Sequence, residues 1–451
     1  MSRIKQSNFR KLAAAAALLL TFALASGSHA LAQQGVPGLV AEQPAATLLL
    51  PYFEVDLSNS TPAADTTIIS ITNTSATALL NHVTIWTDLG VPALEFNVYL
   101  TGYDLWRLNL QQLLITGQMP ATASAGQDPT NTISPKGQKS QDINFASCSG
   151  QLPLPTLPAL QVSGLQAALT GHASVNYGPN LCGGVNHGDN IARGFITIDT
   201  VNNCTTRFPS EAGYIQDDIT FQNVLIGDVF YLNPAQNRAV SAPLISLVAS
   251  LSDPALTTVG SYTFYGKYDG FDGSDHRQPT STTYAARYVN AGSPQGLNFV
   301  NQGTTEIVWR DAKITQNPFA CNTTPSWYPL TVEGMDVFDE QEHVQIPAFC
   351  VQRPCPVMSP LLPYPAQTQK TVVGGPQLPT SFNAGWLYLD LNTTVTGQSA
   401  SLTDQAAAQA SVFSLYDQGV GGGGNNPNST WEMGEKATGL DSAENANHFV
   451  P

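Results

Sequence analysis

Leu94-Glu95-Phe96-Asn97-Val98-Tyr99-Leu100 is the stretch on which the fold turns. Apolar residues occupy every second position, with Glu95, Asn97 and Tyr99 between them. That period of two belongs to an extended strand with one apolar face turned inward and one polar face turned outward. After the turn-forming Gly102-Tyr103-Asp104, Trp106, Leu108 and Leu110 alternate with Arg107 and Asn109, so the two segments predict a β-hairpin. Upstream, 66–72 and 82–87 are rich in β-branched residues, and 73–75 and 88–92 supply bends. Residues 46–115 therefore read as a succession of short strands and turns.

A block with such strands resembles an immunoglobulin-like or fibronectin-like sandwich, a module that exported bacterial proteins often repeat. The resemblance implies a fold and brings no functional residues. It departs from true immunoglobulin domains, because no cysteine lies between 33 and 147 to bridge the sheets. Residues 116–158 differ: Pro120, Pro129, Pro135, Pro153, Pro155 and Pro158 are set among Ser, Thr, Gly and Gln, as in a linker or surface excursion. Leu160, Leu165, Ala168 and Leu169 are spaced for one short helix. Strands are predicted again at 194–201, 219–232, 244–251, 262–268, 282–289, 305–309, 385–391 and 412–416. The fold class is mainly β. An immunoglobulin-like sandwich over 33–115 is followed by a larger disulfide-linked β-sandwich region over 159–418, with long loops and one helix. Residues 419–451, rich in Gly and Asn, read as a flexible tail.

The N-terminus bears on compartment. Arg3, Lys5, Arg10 and Lys11 precede an apolar run over 12–24 and then small residues, the pattern of a secretory signal peptide over 1–32. Cleavage fits after Ala30 or after Ala32, and no cysteine follows to take a lipid anchor. Removing these four of the 18 basic residues leaves 14 against 33 acidic ones, a net charge of −19 for the mature chain. That balance argues against nucleic acid, whose phosphates demand clustered basic residues. Only 11% of the chain is charged, against about 25% in ordinary domains, so the surface is neutral and polar. No later run is long and apolar enough to cross a bilayer as a helix. An outer-membrane barrel is disfavoured, because Pro/Gly-rich stretches interrupt the strands. The expected location is extracellular, at the cell surface or in the periplasm.

Cys148, Cys182, Cys204, Cys321, Cys350 and Cys355 form two groups of three. An even number in an exported chain favours disulfides. If all six pair, an odd number of bridges must join the 148–204 region to the 321–355 region, so no domain boundary is drawn between them. The Cys350-Val-Gln-Arg-Pro-Cys355 spacing lacks the gap of a zinc knuckle.

Three groups of residues carry candidate chemistry. Asp269, Asp272 and Asp275 alternate with glycines and offer oxygen ligands for calcium, although a solvated loop gives the same pattern. Asp336, Asp339, Glu340, Glu342 and His343 form the densest acidic cluster, in which a general acid and base can be imagined. Tyr265, Tyr268 and Phe271, near Tyr262 and Phe264 and with Tyr284 and Tyr288 on a partner strand, are candidates for a ligand platform, although core packing is the favoured explanation of these rings. His82 alternates with Thr84 and Trp86 and reads as a structural histidine. Neither an H-E-x-x-H nor a G-x-S-x-G pattern occurs. Six N-glycosylation sequons, Asn322-Thr323-Thr324 among them, read as unmodified behind a leader of bacterial type.

These features together favour a non-catalytic exported β-sandwich protein, a surface, matrix or ligand-binding component with an extracellular protein or carbohydrate as partner. The alternatives are a secreted hydrolase acting on a polysaccharide or another polymer through paired carboxylates, and a calcium-stabilised adhesive module.

Overall fold

Ten strands precede residue 250 and ten follow it among the described residues, and each set pairs almost wholly within itself. The computed structural model describes residues 43–58, 64–122, 145–152, 154–234, 238–250, 259, 262–290, 303–330, 334–345, 365–393, 409–417, 430–434 and 436–437. The leader, Cys350 and Cys355 lie outside them.

The first set is β1 (Thr47–Asp56), β2 (Thr66–Asn73), β3 (Leu79–Thr87), β4 (Pro92–Leu100), β5 (Leu105–Asn109), β6 (Leu181–Cys182), β7 (Ile191–Val201), β8 (Leu225–Asn233), β9 (Arg238–Pro243) and β10 (Ile245–Leu247). They make a five-stranded sheet, β10-β1-β7-β3-β4, and a four-stranded sheet, β5-β2-β8-β9, both antiparallel. Leu48, Leu50, Val83, Ile85, Phe96, Val98, Ile196 and Ile198 of the first face Ile69, Ile71, Trp106, Leu108 and Val229 of the second. Burying each leucine- or isoleucine-sized side chain here contributes about 1.5–3 kcal/mol. The helix α1 (Ala159–Leu169) closes this core with Leu165, Ala168 and Leu169.

The second set is β11 (Thr283–Val289), β12 (Gly303–Arg310), β13 (Phe319–Ala320), β14 (Gly334–Asp339), β15 (Val344–Gln345), β16 (Thr368–Val372), β17 (Ala384–Asp390), β18 (Ala410–Asp417), β19 (Thr430–Gly434) and β20 (Lys436–Ala437). Sheets β15-β14-β17-β11-β20 and β16-β12-β18-β19 enclose a core that includes Tyr284, Ala286, Val308, Val337, Leu387 and Val412. The short ribbon β6-β13 crosses between the sets, and the Cys182–Cys321 disulfide lies at its end. Cys148–Cys204 is the second bridge among the described residues.

Several expectations are corrected. The 33–115 block does not close on itself, because its strands share both sheets with strands between 191 and 247. The predicted hairpin at 102–104 is a corner: β4 pairs with β3 while β5 pairs with β2, in the other sheet. The reason lies in a second corner beside it. Asn73 Nδ2 donates to the carbonyls of Thr77 (2.7 Å) and Thr101 (3.0 Å), and Tyr103 N donates to Ser75 O (2.9 Å), so the β2–β3 and β4–β5 connections cross between the sheets as a locked pair.

The outward face of β4 is not solvated either. Asn97 and Tyr99 are buried because the outer face of the five-stranded sheet is itself covered, by Tyr214, Ile215, Phe264, Tyr265 and Trp309. A sheet covered on both faces explains why β3 is buried along its whole length. Residues 262–268, predicted as a strand, instead make a turn and the one-turn helix α2 (Gly266–Asp269). Of the expected flexible tail, β19 and β20 pair as strands, and the rest lies outside the described residues. No helix among the described residues is long and apolar enough to cross a membrane.

Candidate functional site

The segment between β10 and β11 carries most of the residues singled out in the sequence, and it folds over the outer face of the five-stranded sheet. The three rings of the expected platform are not a surface feature. Tyr265 and Phe271 are buried, and Tyr268 stacks on Trp86 with centroids 6.1 Å apart. Tyr284 and Tyr288 are likewise buried.

The three aspartates serve different partners. Asp269 accepts from the N–H groups of Phe271 (2.8 Å) and Asp275 (3.1 Å), and Asp272 accepts from Ser274 N (2.8 Å). Burial, ahead of repulsion from Asp275, pushes the Asp269 carboxyl up to about 6. Asp275, which a calcium ion would need as an oxygen ligand, is engaged by Arg277 Nε at 2.7 Å and by Tyr265 N at 2.5 Å. Among the described residues no group of three or more His, Cys, Asp or Glu is arranged to hold a metal ion.

Arg277 is the centre of a sealed network. Its Nη1 reaches Asp199 Oδ1 (2.9 Å) and Thr47 Oγ1 (3.1 Å), and its guanidinium lies 4.0 Å from the Tyr265 ring centroid. Asp199 Oδ2 accepts from the hydroxyls of Tyr214 (2.7 Å) and Tyr265 (2.9 Å). Arg277, Asp199 and Asp275 are fully buried, so the network anchors the connecting segment to β1 and β7 and offers nothing to a substrate. Lys267 and Asp311 form a similar pair, Nζ to Oδ1 2.6 Å, under the Tyr268 ring. Burial alone would lower the Lys267 pKa, but the Asp311 carboxylate outweighs it and holds the ammonium above its usual value.

The acidic cluster at 336–342 is the end of β14 and the turn to β15. Asp339 accepts from Gln341 N, His343 N and His343 Nδ1, each at 2.8 Å, and Glu340, Glu342 and His343 are exposed.

Two cavities among the described residues are lined by none of the acids of 269–275 or 336–342. One, of about 300 Å³, lies between the sandwiches. Its charged groups are already engaged: Lys370 Nζ sits 2.6 Å from both Glu54 carboxylate oxygens, Tyr52 OH donates to Glu54, and Asn233 donates to Asp65.

The other, of about 350 Å³, lies against the Cys182–Cys321 bridge. Its floor is formed by Leu89, Cys182, Gly184, Pro325 and the half-buried Tyr328, and its rim by His172, Asn180, Asn186, Asn322, Thr323 and Thr324. No Lys, Arg, Asp or Glu lines it. The turn after α1 places His172: Gly171 has φ 73°, and a Cβ there would meet Asn186 N at 2.3 Å, so only glycine permits the 171 and 185–186 segments to approach so closely. Asp88, at the β3–β4 bend, fixes the opposite wall. Its Oδ1 accepts from Val185 N (3.0 Å) and its Oδ2 pairs with His187 Nε2 (2.9 Å). Its carbonyl accepts from Gln367 N (3.0 Å) and Thr368 N (3.1 Å) of the second sandwich. The Asp88–His187 pair has the form of a general base with its orienting acid. Among the described residues, however, no hydroxyl or thiol hydrogen-bonds to His187 to serve as nucleophile.

Sequence reasoning did not assemble this site. The signal lay in the flanks of the cysteines: Asn180 two residues before Cys182, and Asn322-Thr323-Thr324 directly after Cys321. No protein-family model, curated protein or solved structure matches the chain.

Proposed function

We propose that this chain is an exported, non-catalytic ligand-binding protein that works at the cell surface, in a matrix or in the periplasm. The observation that carries the reading is the cavity beside Cys182–Cys321: concave, lined by no Lys, Arg, Asp or Glu, and rimmed with amides, hydroxyls and the His172 imidazole on segments fixed by a disulfide and by Asp88. Sites of this size with a few placed polar groups are the ordinary form of small-ligand recognition. Export is supported by the leader pattern over 1–32 and by disulfides, which persist in oxidising compartments.

The hydrolase reading requires two carboxyls facing one cleft. Glu54 and Asp65 do line the cleft between the sandwiches, but Lys370 and Asn233 hold them. The test is to incubate the purified mature chain with neutral and anionic polysaccharides and measure reducing ends. No release is expected. Release that disappears in Glu54→Gln or Asp65→Asn overturns the non-catalytic reading.

A further inference from the structure

We propose that the cavity beside Cys182–Cys321 takes a short, uncharged saccharide; this rests on the ligand-binding reading above and names its ligand class. Three observations converge on it.

The lining carries no ionisable carboxylate, ammonium or guanidinium, in a protein with 33 acidic and 18 basic residues. A charged ligand entering it would lose hydration without meeting a counter-charge, and an anion would also work against the net charge of −15. An uncharged ligand meets neither penalty.

The rim chemistry matches hydroxyl groups. Asn180 and Asn322 each present an amide that both donates and accepts, and Thr324 presents a hydroxyl that does the same. These three side chains are exposed and make no hydrogen bond to any described residue, so they are open to a ligand. Adjacent sugar hydroxyls are donors and acceptors at once, and alternating amide and hydroxyl groups satisfy both roles. The floor supplies the complementary apolar surface, through the Tyr328 ring, Pro325 and Leu89, for the C–H face of a pyranose.

The site is also pre-formed. β6 and β13 pair across it, Cys321 N donates to Asn180 O (3.1 Å), and the disulfide joins the two segments that carry the rim amides. A rigid rim avoids the ordering cost that weakens recognition of small polar ligands.

The experiment uses the full mature chain on an array of uncharged oligosaccharides, uronate-containing and sulfated oligosaccharides, and peptides, followed by calorimetry on the hits. Binding to at least one uncharged oligosaccharide is expected. The double substitution Asn322→Gly with Thr324→Ala, glycine being unstrained at the left-handed backbone of Asn322 (φ 62°), should weaken it about tenfold or more, as the loss of two hydrogen bonds predicts, while the melting temperature stays close to that of the parent chain. Glu54→Gln, at the other cleft, should leave it unchanged. A saturating sugar should also slow reduction of Cys182–Cys321 by a thiol without protecting Cys148–Cys204. Binding that is indifferent to the rim substitutions, or a preference for anionic glycans or peptides, overturns the saccharide proposal and leaves the ligand-binding reading standing. No binding to any member of the array overturns both.

Discussion

Glu306 lies in the middle of β12 with its side chain fully buried, and the Ser414 hydroxyl on β18 lies 2.9 and 2.8 Å from its two carboxyl oxygens, within hydrogen-bonding distance. Burial pushes its pKa up to about 8, with the Ser414 hydrogen bond only partly opposing the shift. The carboxyl is therefore protonated in the folded protein at neutral pH and ionised in the unfolded chain. The folded state binds the extra proton, so stability falls as pH rises between the unfolded value and about 8, by about 1.4 kcal/mol per unit, and is level on either side. Glu306→Gln should flatten this slope and raise stability at pH 8, measured by denaturant unfolding across the range; an unchanged slope refutes the assignment. His82 shows what sequence can say at this scale. Its alternation with Thr84 and Trp86 marks a structural histidine, and it is buried, with Nδ1 3.1 Å from Asn97 Oδ1. Glu306 gave no such sign, since a Glu in Thr-Thr-Glu-Ile-Val reads as solvent-facing until its partner strand is known.

At the scale of elements, strand existence was legible and strand partnership was not. Period-two alternation and β-branched runs located β2, β3, β4, β7, β11, β12, β17 and β18, and the helical spacing of Leu160, Leu165, Ala168 and Leu169 located α1. A corner and a hairpin share the same turn residues, so β4 and β5 looked like partners although they belong to opposite sheets. Consecutive aromatics at 262–268 suggested a two-faced strand, but a tight helical turn lets several rings reach the same sheet surface. β14 was hidden because Asp336 and Asp339 drew attention to charge rather than to the alternation of Met335 and Val337. The disulfides allow a test at this scale. Chain-entropy arguments give about 5 kcal/mol for the 139-residue separation of Cys182–Cys321 and about 4 kcal/mol for the 56 residues of Cys148–Cys204. Paired Cys→Ser substitution should therefore destabilise by similar amounts, measured by denaturant unfolding. Loss of ligand binding at a temperature where both variants stay folded is expected only for the 182/321 pair. Equal loss of binding in both would detach the cavity from its staple.

For the whole molecule, the cysteine distribution anticipated that the regions on either side of residue 250 are joined, and Cys182–Cys321 joins them. The noncovalent part of that junction was not legible, because it depends on Asp275 and Arg277, on the segment that leads from the first sandwich to the second, meeting Asp199 beneath that segment on the outer face of the five-stranded sheet. Removing the cation would leave two buried carboxylates facing each other, at a cost of about 3–5 kcal/mol. Replacing Arg277, Asp275 and Asp199 together by uncharged residues of similar size would remove the conflict along with the attraction. Arg277→Ala should therefore lower the melting temperature far more than Arg277→Met combined with Asp275→Asn and Asp199→Asn. If the network is what couples the sandwiches, calorimetry of the single variant should split one transition into two, with the disulfide keeping the halves tethered. A single sharp transition in Arg277→Ala would instead assign the coupling to the Phe195, Trp86 and Tyr268 stack and the Trp309 ring set edge-on against Phe195, which the substitution leaves in place.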